Sequence, residues 1–345
     1  MQRLDTVDGF ECLNGLVYGL DDVPGIQRRG RRRFTYIRPD GSRVDDRRTL
    51  ERINRLAVPP AWTDVWISTS PNTHLQATGR DARGRKQSRY HPEFRAQRDA
   101  TKFDQLPTFG TVLPKLRLAV EDDLRCGRPT FERQVALVVH IIDDTGIRVG
   151  NEEYARTNGT FGVTTLRKRH VVVDGGSIEL RFRGKHSRRH RLAVDDRRVV
   201  RLIRNCQDLP GQMLFSFEDD EGVVRNVRSS DVNDYVRDAT GADFTAKTLR
   251  TWRATTRATS LLAQRDTTTV TALNDVLDEV ATDLGNTRAV CRKSYVHPVV
   301  IDLFRADELR AMWRSARARV DGLDEDESKV LSVLRRASAA ALPPR

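Results

Sequence analysis

The spacing of apolar residues changes near residue 90 of this 345-residue chain, and that change most constrains its fold. Before it, short alternating segments lie between turn residues, which is typical of strands; after it, apolar residues recur at helical spacing. The length also exceeds what a single hydrophobic core usually supports. We therefore expect an α+β protein with two domains. Residues 1–91 would form a small β-rich domain, and residues 92–345 a larger, mostly helical domain containing a short β-hairpin region.

The amino-terminal part carries its own strand and turn signals. The stretch RRRFTYIRPDGSRV (31–44) alternates around Pro39-Asp40-Gly41, which predicts a hairpin. A short helix is expected over 47–56, before Pro59-Pro60. Further strands are expected in three segments: VWISTS (65–70), THLQATGRD (73–81) and RKQSRYH (85–91).

The remainder of the chain is mainly helical in pattern. Helices are expected over 93–103, 111–126, 130–144, 195–206, 230–239, 246–265, 269–284 and about 287–296, with a helical tail from 300 to about 338. Strands are expected to interrupt them in FGVTTL (161–166), HVVVDGGSIELRF (170–182) and HRLAV (190–194).

Charge and cysteine usage narrow the class of partner. The chain has 60 Lys and Arg against 48 Asp and Glu, which favours a polyanion such as nucleic acid. Arginine predominates, and its planar guanidinium suits bidentate phosphate contacts. The cysteines are scattered without a CxxC pair, which argues against a zinc module and a disulfide framework: Cys12, Cys126, Cys206 and Cys291. His186 and His190 lie four apart without carboxylate or thiolate support, so we predict neither a metal nor another cofactor.

Nothing in the sequence predicts a membrane location. The first 20 residues mix acids with apolar residues and do not resemble a signal peptide. The longest apolar-rich run, VALVVHII (135–142), is far too short to span a bilayer. We expect a cytoplasmic protein associated with the nucleoid.

The segment GRDARGRKQSRY (79–90) places five cations on and beside a tight glycine turn: Arg80, Arg83, Arg85, Lys86 and Arg89. Such a hairpin can lie along a duplex with its arginines on phosphates or base edges. An exposed, solvated turn is the alternative interpretation. A second basic cluster, RRGRRR (28–33), runs into a strand and is assigned to the same surface.

Three segments of the second domain offer cations for a phosphate. TGIRVGNEEY (145–154) holds Arg148 between two glycines, although an arginine at a helix end could instead pair with Glu152 or Glu153. FTAKTLRTWRATTRATSLL (244–262) predicts a helix with Lys247 and Arg250 one turn apart, which could grip a phosphate or simply face solvent.

RFRGKHSRRHRL (181–192) predicts a hairpin with Lys185 at its tip. A lysine there could deliver a proton to a leaving oxygen if neighbouring cations lower its pKa. It could equally be one more phosphate-binding lysine.

The segment NTRAVCRKSYVHP (286–298) places Tyr295 after a basic stretch that begins with Asn286. A free tyrosine is only about 0.1% phenolate at neutral pH, so attack on a phosphodiester needs donors to the phosphoryl oxygens and an acid for the departing oxygen. The sequence offers Arg148, Arg250 and Asn286 as donors and Lys185 as acid. It lacks a Walker glycine loop, a GxSxG elbow and a paired-carboxylate metal constellation. This combination favours attack on DNA without metal or nucleotide.

Over roughly residues 20–310 the chain resembles the type IB DNA topoisomerases, in the short poxvirus-like form found in bacteria. The segments that carry the resemblance are PPAWTDVWIS, HLQATGRDARGRKQ, IRVGNEEY, RFRGKHS, KTLRTW and LGNTRAVCRKSYVHP. The resemblance implies that Tyr295 is the nucleophile, forming a 3′-phosphotyrosyl bond, and that Arg148 and Arg250 clamp the scissile phosphate. It also implies that Lys185 is the general acid, assisted by Lys247. The residues expected to contact DNA are Arg80, Arg83, Arg85, Lys86, Gln87, Arg89, Tyr90, Gly150 and Tyr154.

The resemblance further implies a monomer that closes as a clamp around double-stranded DNA. It would nick one strand, let the free end rotate, relax supercoils of both signs and religate, without ATP or metal. Two positions depart from relatives. Asn286 stands where viral members carry histidine, and Ser88 stands where a tyrosine is common.

Two other classes of protein share some of these features. A tyrosine recombinase uses a related set of arginines, lysine and tyrosine, but usually begins with a helical DNA-binding module rather than a β-rich domain. A non-catalytic DNA-binding protein of the same fold would be marked by loss of Tyr295, Arg148 or Lys185, and all three are present.

Overall fold

The computed structural model describes residues 15–30, 33–82, 84–127, 129–219, 221–317 and 319–341. The chain forms two compact units, of which the first ends at Lys102 and the second begins at Phe103. The expected α+β class is confirmed, with a β-sheet in the first unit and a mostly helical second unit. The junction between the units falls inside a helix, Pro92–Asp104, and the domain boundary at residues 91 and 92 stays a prediction.

The first unit is built on an antiparallel five-stranded sheet in the order β2-β1-β3-β4-β5. Its strands are β1 Ile26–Arg29, β2 Thr35–Ile37, β3 Thr63–Ile67, β4 Leu75–Arg80 and β5 Lys86–Tyr90, and its helix is α1 Arg47–Arg55. Its hydrophobic core is formed by apolar residues of the strands, the helix and the loop before it: Ile26, Val44, Ile53, Val65, Ile67 and Ala77.

The hairpin predicted around Pro39-Asp40-Gly41 is observed but short, and the Val44 N–H donates across it to the Tyr36 C=O at 2.8 Å. Arg38 N–H donates to Ser42 C=O at 2.8 Å, and a single bridge joins Ile37 to Arg43. The chain then leaves the sheet because Asp46 accepts a hydrogen bond from the Thr49 N–H and starts α1. All three residues of β2 pair with β1 instead.

Arg28, from the basic cluster at 28–33, is used by the fold. Its guanidinium donates to the Pro59 and Trp62 carbonyls at 3.1 and 2.5 Å, and it lies 4.2 Å from the centre of the Phe34 ring. It therefore holds the proline loop after α1 against the sheet. Residues 31 and 32 of this cluster lie outside the described residues.

The second unit contains most of the helices and two small sheets. After α2 Pro92–Asp104, the helices are α3 Leu106–Leu124, α4 Phe131–Thr145, α5 Glu152–Asn158, α6 Arg197–Asp208, α7 Ser229–Thr240, α8 Ala246–Ala263, α9 Val270–Asp283, α10 Arg288–Ser294, α11 Pro298–Arg305, α12 Leu309–Ser315 and α13 Glu325–Ala341. The strands are β6 Val171–Asp174, β7 Ser177–Arg183 and β8 Arg189–Val194 in one sheet, and β9 Ser216–Glu218 with β10 Val224–Asn226 in the other.

Helix α8 lies at the centre of this unit. Most of its residues are buried, including Trp252, which is packed against the backbone of α3 at Gly110. A side chain at Gly110 would put its Cβ 2.3 Å from the Trp252 ring. The helices α3, α4, α9 and α13 surround α8, so any residue on it is held from several sides. The expected helical tail is also observed, as α11, α12 and α13.

The strand expected in FGVTTL is wrong, because residues Val163–Thr165 form a 3-10 turn. The reason is a backbone partner far along the chain. Val163 and Thr164 N–H groups donate to the Arg148 and Val149 carbonyls, both at 2.8 Å. Helix α5 and strands β9 and β10 arise where no element was predicted.

In the part of the chain with described coordinates, no helix combines the length and apolar character needed to cross a membrane.

Candidate active site

Arg250 is the most deeply buried cation of the predicted set, at 3% exposure. Its guanidinium donates to the Gly146 carbonyl at the end of α4 and to the Leu284 carbonyl at the end of α9, the latter at 3.2 Å. It also lies 5.2 Å from the centre of the Tyr295 ring. Burial lowers the pKa of Arg250. An arginine pKa normally lies far above neutral pH, so the guanidinium keeps its charge. The two carbonyls therefore hold the positively charged Arg250 guanidinium in a fixed position beside the Tyr295 ring.

Arg148 reaches the same place from the loop between α4 and α5. Both of its terminal nitrogens donate to the Gly285 carbonyl at 3.3 Å, and one also donates to the side-chain oxygen of Asn286. The alternative pairing with Glu152 or Glu153 is not observed among the described residues. Burial and the neighbouring Arg250 lower the pKa of Arg148.

The backbone of Arg148 is held by the 3-10 turn Val163–Thr165, whose residues have the composition of a strand. Gly162, just before that turn, approaches so closely that a Cβ on it would lie 2.5 Å from both the Arg148 oxygen and the Gly150 nitrogen. Gly150 itself has a φ of 107°, which favours glycine. Two glycines therefore allow the loop and the turn to lock together.

If Tyr295 cleaves DNA as the sequence predicts, Gly162→Ala should lower the cleavage rate by more than about tenfold, because a displaced backbone at Arg148 moves its guanidinium and misplacement near 1 Å can cost about a hundredfold. The strain should also cost about 1–3 kcal/mol of stability. Single-turnover cleavage and chemical denaturation would measure both effects. Gly176→Ala is the matched control, since a Cβ there meets nothing within 4 Å. Equal behaviour of the two variants would contradict this role for Gly162.

Asn286 adds an uncharged donor beside the two arginines. It is 6% exposed, and its side-chain oxygen faces the Arg148 guanidinium, which fixes the orientation of the amide. Its Nδ2 is buried and, like Nε of Arg250, has no hydrogen-bond partner among the residues that the structure describes. Buried donors are normally satisfied in proteins. Two orphaned donors at one place therefore indicate a site for the oxygens of a bound group.

Tyr295 lies at the carboxyl end of α10, a helix that packs against α9, and its side chain is half-buried. Burial by itself raises its pKa, but the charge and hydrogen bond of Arg250 and the charges of Arg148 and Lys247 outweigh it, so that the pKa of Tyr295 is lowered. The cluster thus stabilises negative charge at the phenolic oxygen. Lys247 is exposed and acts through charge from the first turn of α8.

Thr255 is a residue of this site that sequence analysis missed. Its hydroxyl, fully buried on α8, donates to the Tyr295 carbonyl at 3.0 Å and accepts from the His297 N–H at 3.2 Å. One helix therefore carries both Arg250 and the group that fixes the tyrosine backbone. No local signal could have found it, because its partners are 40 and 42 residues away.

Lys185 lies at the predicted hairpin tip, in a 3-10 turn, Lys185–Ser187, between β7 and β8. Its side chain is exposed. Arg188, which directly follows this turn, connects the hairpin to the arginine cluster formed by Arg148, Arg250 and Asn286. Its guanidinium donates to the Asn286 carbonyl at 2.5 Å. The structure therefore brings Arg148, Arg250, Asn286 and Tyr295 together and leaves the two lysines exposed.

The predicted DNA-contact residues of the first unit lie on the β4–β5 hairpin, and several have acidic partners. Arg85 binds Asp81 at 2.7 Å with only 18% of its side chain exposed, and Gln87 donates to the same carboxylate at 3.2 Å. Lys86, at 60% exposure, pairs with Asp21 at 2.7 Å. Arg85 therefore helps to shape the hairpin, while Lys86 presents its charge at the surface.

The other members of that set are more varied. Arg80 is exposed and donates to the Gly84 carbonyl at 2.8 Å. Arg89 lies 5.3 Å from the centre of the Trp62 ring, and Tyr90 is partly exposed beside it on β5. Arg83 lies outside the described residues. Gly150 and Tyr154 belong to the second unit, at the loop and helix that follow Arg148.

Two families match this chain. Residues 91–318 match the family described as eukaryotic DNA topoisomerase I, catalytic core, and residues 33–81 match the bacterial DNA topoisomerase IB N-terminal domain. The first match contains the whole cluster around Tyr295, and the second ends within the β4–β5 hairpin region.

Individual relatives carry related descriptions. DNA topoisomerase 1B of Acanthamoeba polyphaga mimivirus is 32% identical over 285 residues, which cover 79% of this chain and 85% of the viral protein. DNA topoisomerase I of monkeypox virus is 20% identical over 273 residues, covering 76% and 83% of the two chains. DNA topoisomerase 1B of vaccinia virus is 24% identical over 179 residues, covering 50% and 57%. These matches favour a topoisomerase over the recombinase alternative, and the chain belongs to the type IB DNA topoisomerase family, whose members are isomerases.

Proposed function

We propose that this protein relaxes supercoiled DNA through a covalent phosphotyrosine intermediate. Tyr295 attacks a backbone phosphorus, a 3′-phosphotyrosyl bond forms, and the bond to the 5′ oxygen breaks. The free 5′-hydroxyl end rotates about the intact strand and then attacks the phosphotyrosine, which restores the strand. The observation that supports this most directly is the pair of orphaned buried donors beside a tyrosine whose pKa is lowered by three cations.

Each residue of the cluster has a part in this reaction. Arg148 and Arg250 stabilise the negative charge that grows on the nonbridging oxygens, and preorganised charges of this kind are typically worth a hundredfold or more each. Asn286 supplies a neutral hydrogen bond through Nδ2. The orphaned Nε of Arg250 supplies a second donor.

Proton transfer is assigned to the two exposed lysines. The departing 5′ oxygen needs a proton, since an alkoxide is a poor leaving group. Lys185 donates it from the hairpin tip, and Lys247 assists from the start of α8. General acid catalysis by a positioned side chain typically contributes about 10²–10⁴-fold. The bond energy stays in the phosphotyrosine, so religation needs neither ATP nor metal.

The cations of the first unit are assigned to the DNA backbone. Arg80 and Lys86 exchange their present carboxylate or carbonyl partners for phosphates, which releases counterions and makes binding salt-dependent. The protein would work as a monomer that closes around duplex DNA, at the nucleoid in the cytoplasm.

We expect the protein to relax both negatively and positively supercoiled plasmid in EDTA without ATP. Gel electrophoresis of the topoisomers would measure relaxation. Denaturing gels with strands labelled at one end would show protein attached to the 3′ side of the break. A requirement for Mg²⁺ or ATP, or attachment at the 5′ side, would overturn the proposed reaction.

A further inference from the structure

His190 has no part in the reaction described above, yet it lies against the arginine cluster. It belongs to β8, four residues after His186, and its side chain is half-buried. Its imidazole is stacked on the Phe182 ring with 4.9 Å between centroids and 5° between planes. The ring is therefore held flat on the β7–β8 sheet.

The edge of that imidazole formed by Cδ2, Nε2 and Cε1 lies against two glycines from different parts of the chain. A Cβ at Gly184 would lie 2.6 Å from Nε2 of His190, and a Cβ at Gly285 would lie 2.5 Å from Cε1. Gly184 immediately precedes Lys185, and Gly285 immediately precedes Asn286. The imidazole thus fills the space between Gly184, in the β7–β8 hairpin that carries Lys185 (the lysine hairpin), and Gly285, whose carbonyl accepts from Arg148.

Two further contacts make this connection specific. The Gly184 N–H donates to the Arg188 carbonyl at 2.7 Å, which closes the loop that carries Lys185. Arg188 in turn donates to the Asn286 carbonyl. Lys185 itself is exposed at the tip, so its position depends on how this loop is anchored.

The ring is suited to a place beside several guanidinium groups. Burial lowers the pKa of His190, as do the charges of Arg148, Arg250 and Arg188. A neutral imidazole adds no repulsion to the cluster and keeps its flat shape against the glycine backbones.

We propose that His190 is a positioning residue for Lys185, holding the lysine hairpin against the Gly285–Asn286 turn so that the ammonium group reaches the departing 5′ oxygen. This inference rests on the proposed function, because it concerns the proton that Lys185 delivers. His190 itself touches neither the phosphate nor the tyrosine in this role.

A substrate with sulfur in place of the bridging 5′ oxygen separates this role from a general structural one. In cleavage of that substrate the tyrosine oxygen–phosphorus bond forms, the phosphorus–sulfur bond breaks, and a thiolate leaves with the electron pair. A thiol has a pKa of about 8.5, so its thiolate departs without prior protonation, whereas an alkoxide needs an acid. A defect in proton delivery is therefore rescued by sulfur, and a misfolded or misassembled site is not.

The experiment compares single-turnover cleavage of matched duplexes with oxygen or sulfur at the scissile 5′ position. His190→Ala is expected to cleave the oxygen substrate at least about tenfold more slowly than the wild type, within the range of a lost general acid. It should cleave the sulfur substrate within about threefold of the wild-type rate. His140→Ala, which removes another half-buried histidine from α4, should match the wild type on both substrates.

Two reference variants separate failure of this inference from failure of the proposed function. Lys185→Ala should be slow on oxygen and rescued by sulfur, whereas Arg148→Ala should be slow on both. If Lys185→Ala is rescued and His190→Ala is equally slow on both substrates, or normal on both, His190 does not act through Lys185. If Lys185→Ala is not rescued, the assignment of the general acid is wrong and this inference falls with it. Should His190→Ala fail to fold, His190→Gln keeps a flat side chain and is judged by the same comparison.

Discussion

Replacement of Tyr295 by phenylalanine is expected to abolish the covalent DNA adduct and to slow strand cleavage by more than about a thousandfold, as is usual when a nucleophile is removed. The substitution deletes one oxygen and leaves the ring, which still lies under the Arg250 guanidinium. Stabilisation by Arg148, Arg250 and Lys247 would then have no phenolic oxygen to act on. Binding of duplex DNA should change little, because the cations proposed to bind the phosphates remain.

Denaturing gels with end-labelled DNA would measure the adduct, and filter binding would measure affinity. Tyr235→Phe is the matched control, because the Tyr235 hydroxyl donates to Asp123 at 2.5 Å, outside the cluster. Tyr235→Phe should retain the adduct at the wild-type level. An adduct formed by Tyr295→Phe would show that another residue is the nucleophile. Weak DNA binding by the same variant would instead show that the hydroxyl serves binding.

Replacement of Glu327 by alanine is expected to destabilise the second unit by about 3–5 kcal/mol, the usual cost of removing one partner from a buried ion pair. Glu327 is 6% exposed and lies on α13. Its carboxylate accepts from both terminal nitrogens of Arg117, at 2.7 and 2.8 Å, and from the Trp252 indole N–H at 3.0 Å. In the alanine variant Arg117 would keep one carboxylate partner among the described residues, Asp143. The buried Trp252 indole N–H would lose the carboxylate that accepts its hydrogen bond.

The Glu327 substitution should also affect the candidate active site. Trp252 follows Arg250 by two residues on α8, so α13 stabilises the helix that carries Arg250, the residue proposed to bind the phosphate. Residues of α13 lie beyond residue 318, where the match to the catalytic-core family ends. Helix α13 therefore supports α8 from outside the segment that matches the catalytic-core family.

Chemical denaturation would measure the effect, with Glu325→Ala as the matched control. Glu325 lies one half-turn away and pairs with Lys329 at the surface, so its removal should cost less than about 1 kcal/mol. Burial alone would raise the pKa of Glu327, but the hydrogen bonds and charge of Arg117 outweigh it and lower the pKa. A lowered pKa stabilises the fold above the ordinary glutamate pKa, about 4.3, and the stabilisation is lost as the pH falls through the lower value. Equal stability of Glu327→Ala and Glu325→Ala at neutral pH would contradict this role.

Much of the architecture follows from local pattern. Apolar spacing predicted most helices of the second unit and three of the five strands of the first unit closely, because that spacing reports which face of an element is buried. The pattern of residues also singled out Arg148, Arg250, Asn286 and Tyr295 as one chemical set. The structure brings these four together, while their roles in catalysis stay predictions.

Other features depend on partners far along the chain. The segment FGVTTL has the composition of a strand, but its N–H groups bind carbonyls at Arg148 and Val149 and it becomes a turn. Arg85 belongs to a basic cluster in the sequence, yet in the fold it is held by Asp81.

The sequence by itself determined the two-part organisation, the helical core and the residue types needed to attack a phosphate. Only the tertiary structure decided that Thr255 fixes the Tyr295 backbone, that His190 lies between two distant glycines, and that Glu327 supports α8. The physical reason is that buried polar groups must find partners, and those partners are set by which distant segments the packed core brings within about 3 Å.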